Sequence, residues 1–216
     1  MARLAQHAKP SVRLLELNNL AEKLIKEAGA EPSFKNYKNF PDALCVCLND
    51  EIVHCNPDNR QIKPNDLVKL DLGIKYKNYH TDMAITIGQG RLVRVCKKAL
   101  KAGLKKVKAG NTTGDIGHVI QRHVEAQGFS VVKELCGHGI GQDVHMPPEI
   151  PNFGQKHKGD VLFEGQTICV EPMISEGKSE MIKKGYGYAT RDGSLSAHFE
   201  HTILVLKNGY KILTRR

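Results

Sequence analysis

Asp71, Asp82, His138, Glu171 and Glu200 are five side chains of the kind that bind hard and borderline metal ions, spread over both halves of the chain. Each lies in or beside an apolar, strand-like segment, where an unpaired ionised group is costly. Leu67–Ile74 and Tyr79–Ile87 read as two strands joined by the polar turn Lys75-Tyr76-Lys77-Asn78. A hairpin folded about Tyr76–Lys77 sets Asp71 directly opposite Asp82, with Cβ atoms about 4.5–5.5 Å apart. Like charges so placed destabilise a sheet unless a proton or a cation stands between them. A cation is the expected solution.

The second half repeats the device. Gly165–Ile174 carries Glu171 at the end of an apolar run, and Ala197–Leu206 carries Glu200 near the start of another. Four carboxylates and one imidazole exceed the four ligands of a tetrahedral zinc site. They suit two divalent ions sharing bridging carboxylates, an arrangement that activates water for hydrolysis. Oxygen-rich ligation with one histidine points to Co, Mn or Fe as readily as Zn.

Six ordered segments carry a resemblance to a known family. They are Asn-Asp-Glu-Ile-Val-His-Cys-Asn-Pro (49–57), Lys-Leu-Asp-Leu-Gly (69–73) with His-Thr-Asp (80–82), and Leu-Cys-Gly-His-Gly-Ile-Gly (135–141). Val-His-Met-Pro-Pro (144–148), Val-Glu-Pro-Met-Ile (170–174) and Gly-Ser-Leu-Ser-Ala-His-Phe-Glu-His-Thr (193–202) continue the series. From about residue 10 onward the chain resembles type I methionine aminopeptidases, two-metal peptidases of the pita-bread fold. The short interval from Glu171 to Glu200 leaves no room for the helical insertion of the type II enzymes.

The resemblance implies a hydrolase that removes N-terminal methionine from nascent proteins and peptides when the second residue is small. It assigns Asp71, Asp82, His138, Glu171 and Glu200 as ligands of two divalent ions, Asp82 and Glu200 touching both. It casts His54 as a substrate contact that orients the scissile peptide. His145 becomes the donor to the tetrahedral intermediate, and Glu171 the proton shuttle. Tyr37, Phe40, Cys45 and Tyr186 fall where the family walls its methionine pocket. The chemistry asks for these roles independently: an activated water, a donor aimed at the oxyanion, and a carboxylate that moves the proton. A first helix typical of the family is expected to be missing before residue 1. Phe34, Met83-Ala84, Val144 and Tyr186 depart from the residues expected around the pocket and beside Asp82.

The remaining histidines of the ten, His7, His80, His118, His123, His157, His198 and His201, receive no role. A histidine chosen at random is more often a surface or satisfied core residue than a catalytic one. His198 and His201 flank Glu200, and the bland expectation is that they orient it from outside.

Positioning these residues requires two α/β halves. Ser11–Ala28 is amphipathic at helical spacing. Gly29–Pro41 reads as a polar connection, followed by strand-like Ala43–Leu48. Arg91–Val107 and Thr113–Gly128 read as further helices, the latter capped by Thr112 or Thr113. Strand-like 129–136 then leads into the glycine-rich turn 137–141. The expected class is α/β (α+β), and the resemblance implies the pita-bread form of it: two pseudo-symmetric halves of curved antiparallel sheet covered by helices, forming one catalytic domain over 1–216.

At 216 residues and 40% hydrophobic, the chain can bury a sizeable core. No apolar run of about 18 residues exists, and the N-terminus lacks a signal-peptide core. A cytoplasmic monomer is expected. The six cysteines show no disulfide or zinc-binding spacing, so reduced, buried thiols are the default. The net charge is +9, with Arg94, Lys97, Lys98, Lys101, Lys105, Lys106 and Lys108 crowded on one helix and its exit. A solvated helix face explains that cluster; the resemblance adds docking to ribosomal RNA, which would be salt-sensitive. Two other readings compete: an Xaa-Pro dipeptidase or aminopeptidase of the same fold, and a catalytically dead binding module. The former usually carries an extra N-terminal domain, and the latter usually loses ligands, whereas all five are present.

Overall fold

A computed structural model describes residues 1–214. The first half opens with helices α1 (Ala2–His7) and α2 (Leu14–Glu27). Leu14, Leu17, Ala21 and Ile25 fall on one face of α2 and are buried, as the amphipathic pattern predicts. Four strands follow in chain order: β1 (Glu31–Pro32), β2 (Cys45–Leu48), β3 (Glu51–Val53) and β4 (Val68–Tyr76). β5 (Tyr79–Ile87) returns along β4. β1, β2, β4 and β5 form one antiparallel sheet, with β1 and β2 sharing one edge of β4. The helices pack on this sheet through Leu4, Leu14, Leu17, Leu44, Val46, Val68 and Leu70.

The second half begins with α3 (Arg91–Leu104) and α4 (Thr113–Glu125). Thr112 is the cap. Its hydroxyl accepts from the Asp115 N–H, and the Asp115 carboxylate accepts from the Thr112 N–H, a reciprocal box. Then come β6 (Ser130–Val131), β7 (Cys136–Gly139), β8 (Met146–Pro151), β9 (Thr167–Val170) and β10 (Met173–Ser175). The chain ends with β11 (Met181–Lys184), β12 (Gly187–Thr190), β13 (Ser196–His198), β14 (His201–Leu206) and β15 (Gly209–Ile212). A five-stranded antiparallel sheet runs β15-β14-β9-β7-β8, and α3 and α4 cover it through Cys96, Leu100, Ile116, Ile120, Ile168 and Ile203. Of two small sheets, β11-β12-β3 joins the halves through β3, while β13-β10-β6 is built wholly from the second half. Helices outside curved antiparallel sheet in each half is the predicted pita-bread arrangement.

Three local expectations need correction. The turn 75–78 is shorter than predicted, because β4 runs on to Tyr76 and only Lys77 and Asn78 form it, at φ 48° and 66°. Positive φ at both central residues matches the twist of the flanking strands. The register therefore shifts by two: Asp71 faces Ala84 and Asp82 faces Gly73. The two aspartates stand diagonally on one face rather than directly opposite. The predicted strands 165–174 and 197–206 are each broken, at Glu171-Pro172 and at Phe199-Glu200. The glycine-rich stretch 137–139 is part of strand β7 rather than a turn.

Candidate metal centre

β4 and β5 lend the aspartates, β7 lends His138, and the two strand breaks lend Glu171 and Glu200. All five side chains are buried. The breaks matter because a residue released from the ladder can turn its carboxylate toward the seam between the halves. Pro172 enforces the first, having no N–H to give a ladder. The seam itself is sewn by threonines. Thr202 Oγ1 accepts from the Asp82 N–H at 2.7 Å and donates to the Asp82 carbonyl at 2.8 Å. Thr86 does the same for His198, at 2.9 and 2.7 Å, and the Glu200 N–H donates to the Ala84 carbonyl.

A second brace is a buried cation. Lys69, two residues before Asp71 on β4, is 1% exposed. Its ammonium donates to the Asn49 carbonyl at 2.8 Å and to the Ser196 carbonyl and hydroxyl at 3.1 and 3.2 Å. It ties the first sheet to the strand leading to Glu200. Sequence motifs include Lys69 and Thr202 but give neither a role, because a lysine in a strand reads as solvent-facing.

The site departs from ordinary electrostatics. Burial and mutual repulsion raise the Asp71, Glu171 and Glu200 carboxyls well above the usual carboxylate range. Burial lifts Asp82 to about 6. Asp71 Oδ1 and Glu200 Oε1 are buried without any hydrogen bond. Oxygens of Asp71, Asp82 and Glu200 lie within 4.8 Å of one another, as do donor atoms of Glu171, His198 and Glu200. His138 Nδ1–H donates to the Gly139 carbonyl at 2.9 Å. That bond leaves the Nε2 lone pair facing Glu171 Oε1 at 3.5 Å. Burial keeps this imidazole neutral, the form that binds metal. Orphaned oxygens, a fixed imidazole tautomer and crowded acids fit a divalent cation. Cys169 Sγ lies beside His138 and Glu200. Burial and the surrounding carboxylates push its thiol far up, so it stays protonated.

The other predicted residues gather at the mouth. His145 stacks on Tyr37, with ring centroids 5.2 Å apart and Nδ1 3.0 Å from the tyrosine hydroxyl. Its ring is 4.2 Å from that of His138. His54 holds a left-handed backbone, φ 61°, uncommon for a residue with a Cβ. Surrounding protein and the Lys38 charge hold both rim imidazoles below the ordinary histidine range, although their side chains reach solvent. Phe40 meets Tyr186 edge to face at 6.1 Å and packs on Cys45, which pairs with Asp71 across β2 and β4. The four pocket-wall candidates thus split into Tyr37 under His145 and the Phe40, Cys45 and Tyr186 group beside Asp71.

Comparison with known proteins agrees with this construction. The profile of metallopeptidase family M24 matches residues 1–207. Methionine aminopeptidase 1 of Bacillus subtilis is 40% identical over 98% of this chain and 89% of its own length. The crystal structure of methionine aminopeptidase from Thermotoga maritima superposes with a TM-score of 0.97 at 37% identity, covering 100% of this chain and 90% of that one. The prolidase of Pyrococcus horikoshii shares 25% identity at a TM-score of 0.75, and the match spans 58% of that chain. On these likenesses, and on a seam built from five buried donors, the chain belongs to metallopeptidase family M24, in its methionine aminopeptidase branch.

Proposed function

We propose that this enzyme removes N-terminal methionine from peptides and nascent chains whose second residue is small. The observation that carries this reading is the buried cluster of four carboxylates and His138, with the Phe40, Cys45 and Tyr186 group beside Asp71. Asp71, Asp82, His138, Glu171 and Glu200 would hold two divalent ions, Co, Mn, Fe or Zn, with Asp82 and Glu200 shared. When bound, such ions lower the pKa of water and polarise the peptide carbonyl.

The chain's own residues supply the rest. Glu171, its affinity for protons raised by burial, takes a proton from the attacking water and hands it to the leaving amine. With the Tyr37 hydroxyl donating to Nδ1, His145 has Nε2–H free to donate to the developing oxyanion. His54 contacts the peptide at the rim. Tyr37, Phe40, Cys45 and Tyr186 accept the thioether, a soft unbranched chain suited to aromatic and sulfur surfaces. A cytoplasmic monomer and docking to ribosomal RNA through the exposed basic face of α3 complete the reading. No helix among the described residues is long and apolar enough to cross a membrane.

The test compares Met-Ala-Ser with Ala-Pro on chelated protein to which Mn, Co, Fe or Zn is returned. Cleavage of Met-Ala-Ser that vanishes on chelation and returns with metal is expected. Faster cleavage of Ala-Pro would transfer the assignment to the Xaa-Pro enzymes.

A further inference from the structure

His198 is 1% exposed, and neither ring nitrogen has a hydrogen-bond partner. A buried imidazole in that state has given up water and received nothing for it. Its position is not loose. The backbone N–H and carbonyl are both held by Thr86 Oγ1, and His198 faces Met173 across β13 and β10. That places the ring beside Glu171, two residues before Met173.

The distances say what the ring is waiting for. His198 Nε2 lies 3.5 Å from Glu171 Oε2, and His138 Nε2 lies 3.5 Å from Glu171 Oε1. The glutamate is bracketed by two imidazoles at equal range, one on each oxygen. A direct bond to a carboxylate would be shorter, about 2.7–2.9 Å. Two ligands on one ion with bonds of about 2.0–2.1 Å stand about 3.4 Å apart at the tetrahedral angle. A ring nitrogen of His198 also lies within 4.8 Å of donor oxygens of both Glu171 and Glu200. We propose that His198 is a further metal ligand, binding through Nε2 on the Glu171–Glu200 side of the centre and giving it a second imidazole. This rests on the metal-site reading given above. A second nitrogen donor would shift the preference of that side away from Mn and toward Co and Zn.

The experiment is a Zn²⁺ titration of full-length protein carrying ¹⁵N-histidine, read by NMR, beside calorimetry. Two Nε2 resonances should move into the metal-bound range. His138→Ala should remove one and His198→Gln the other. His198→Gln and His198→Ala should each weaken the weaker-binding ion by more than about 100-fold, beyond the 10–100-fold typical of an outer partner that only orients a ligand. The thermal midpoint of the chelated variants should stay close to that of the chelated parent. Because the labelled parent alone counts the imidazoles, a variant that fails to fold does not spare the proposal. Zinc bound through a single imidazole overturns it while leaving the metal site standing. A protein that binds no zinc overturns both.

Discussion

Glu171 carries two of the proposed tasks and His145 one, and substitution separates them. Glu171→Gln keeps the shape but loses the proton carrier and a ligand charge, so kcat should fall about 10²–10⁴-fold with weaker metal binding. His145→Ala removes one oxyanion donor and should lower kcat about 10²–10³-fold. Its metal stoichiometry should be intact and its KM little changed. Steady-state kinetics beside calorimetric metal titration distinguishes them; loss of metal in His145→Ala would make that residue a ligand. The same side chains set a pH dependence. In chelated protein, carboxyls whose folded pKa is raised hold protons that the unfolded chain releases. The stability they contribute is therefore lost as pH rises from near 4 through about 6 for Asp82, and higher for the others. Each costs up to about 1.4 kcal/mol per pH unit in that window. Bound metal displaces those protons, whereas the neutral His138 cancels between the two states. The gap in thermal midpoint between Mn-loaded and chelated protein should widen from pH 5 to pH 8. A constant gap would mean that the acids are already ionised without metal.

At the scale of elements, β7 shows why glycine rather than alanine brings His138 to the seam. A Cβ at Gly139 would collide with the Pro147 and Met146 carbonyls of β8, and one at Gly137 with the Cys169 carbonyl of β9. Gly139→Ala should cost about 1–3 kcal/mol of stability and weaken zinc binding, both measurable by thermal melting and titration. Unchanged affinity would free His138 placement from this close approach. The sequence exposes such elements unevenly. Helical spacing locates α2, α3 and α4 because one buried face repeats every turn, and the Thr112 cap is a local bond. The hairpin register depends on which two residues adopt positive φ, and Lys77-Asn78 outcompeted Tyr76-Lys77. The breaks at Glu171 and Glu200 escaped because an apolar run continues on either side. Hairpin β11–β12 and strand β15 escaped because they are short and lack clean alternation, β11 being largely exposed, β12 largely buried and β15 half-buried. The five side chains that gather at the seam were legible by residue type and motif. The free ring of His198 was not, since absence of a partner is a property of three-dimensional packing.

Over the whole molecule, charge is distributed as unevenly as burial. Arg94, Lys97, Lys98, Lys101, Lys105, Lys106 and Lys108 are all exposed, while the apolar face of α3 lies in the core. If that face docks on ribosomal RNA, Lys97→Glu with Lys98→Glu and Lys101→Glu should abolish cosedimentation with ribosomes at low salt. Hydrolysis of free tripeptide should be unaffected, and binding of the parent should fade steeply as salt rises. Binding indifferent to salt would leave the cluster as a solvated surface. The site, finally, lies where two hydrophobic clusters meet, with Asp71 and Asp82 on the sheet of one, and His138 on a strand and Glu171 and Glu200 at strand breaks beside the other. An ion there would act as a clasp; without it the acids must hold protons, and once pH rises past their raised pKa values like charges press the two halves apart along the seam that Thr86, Thr202 and Lys69 hold closed. The seam should then be the first place the chain opens, so limited proteolysis at pH 8 is expected to cut chelated protein faster than metal-loaded protein, with equal rates ruling out a clasp.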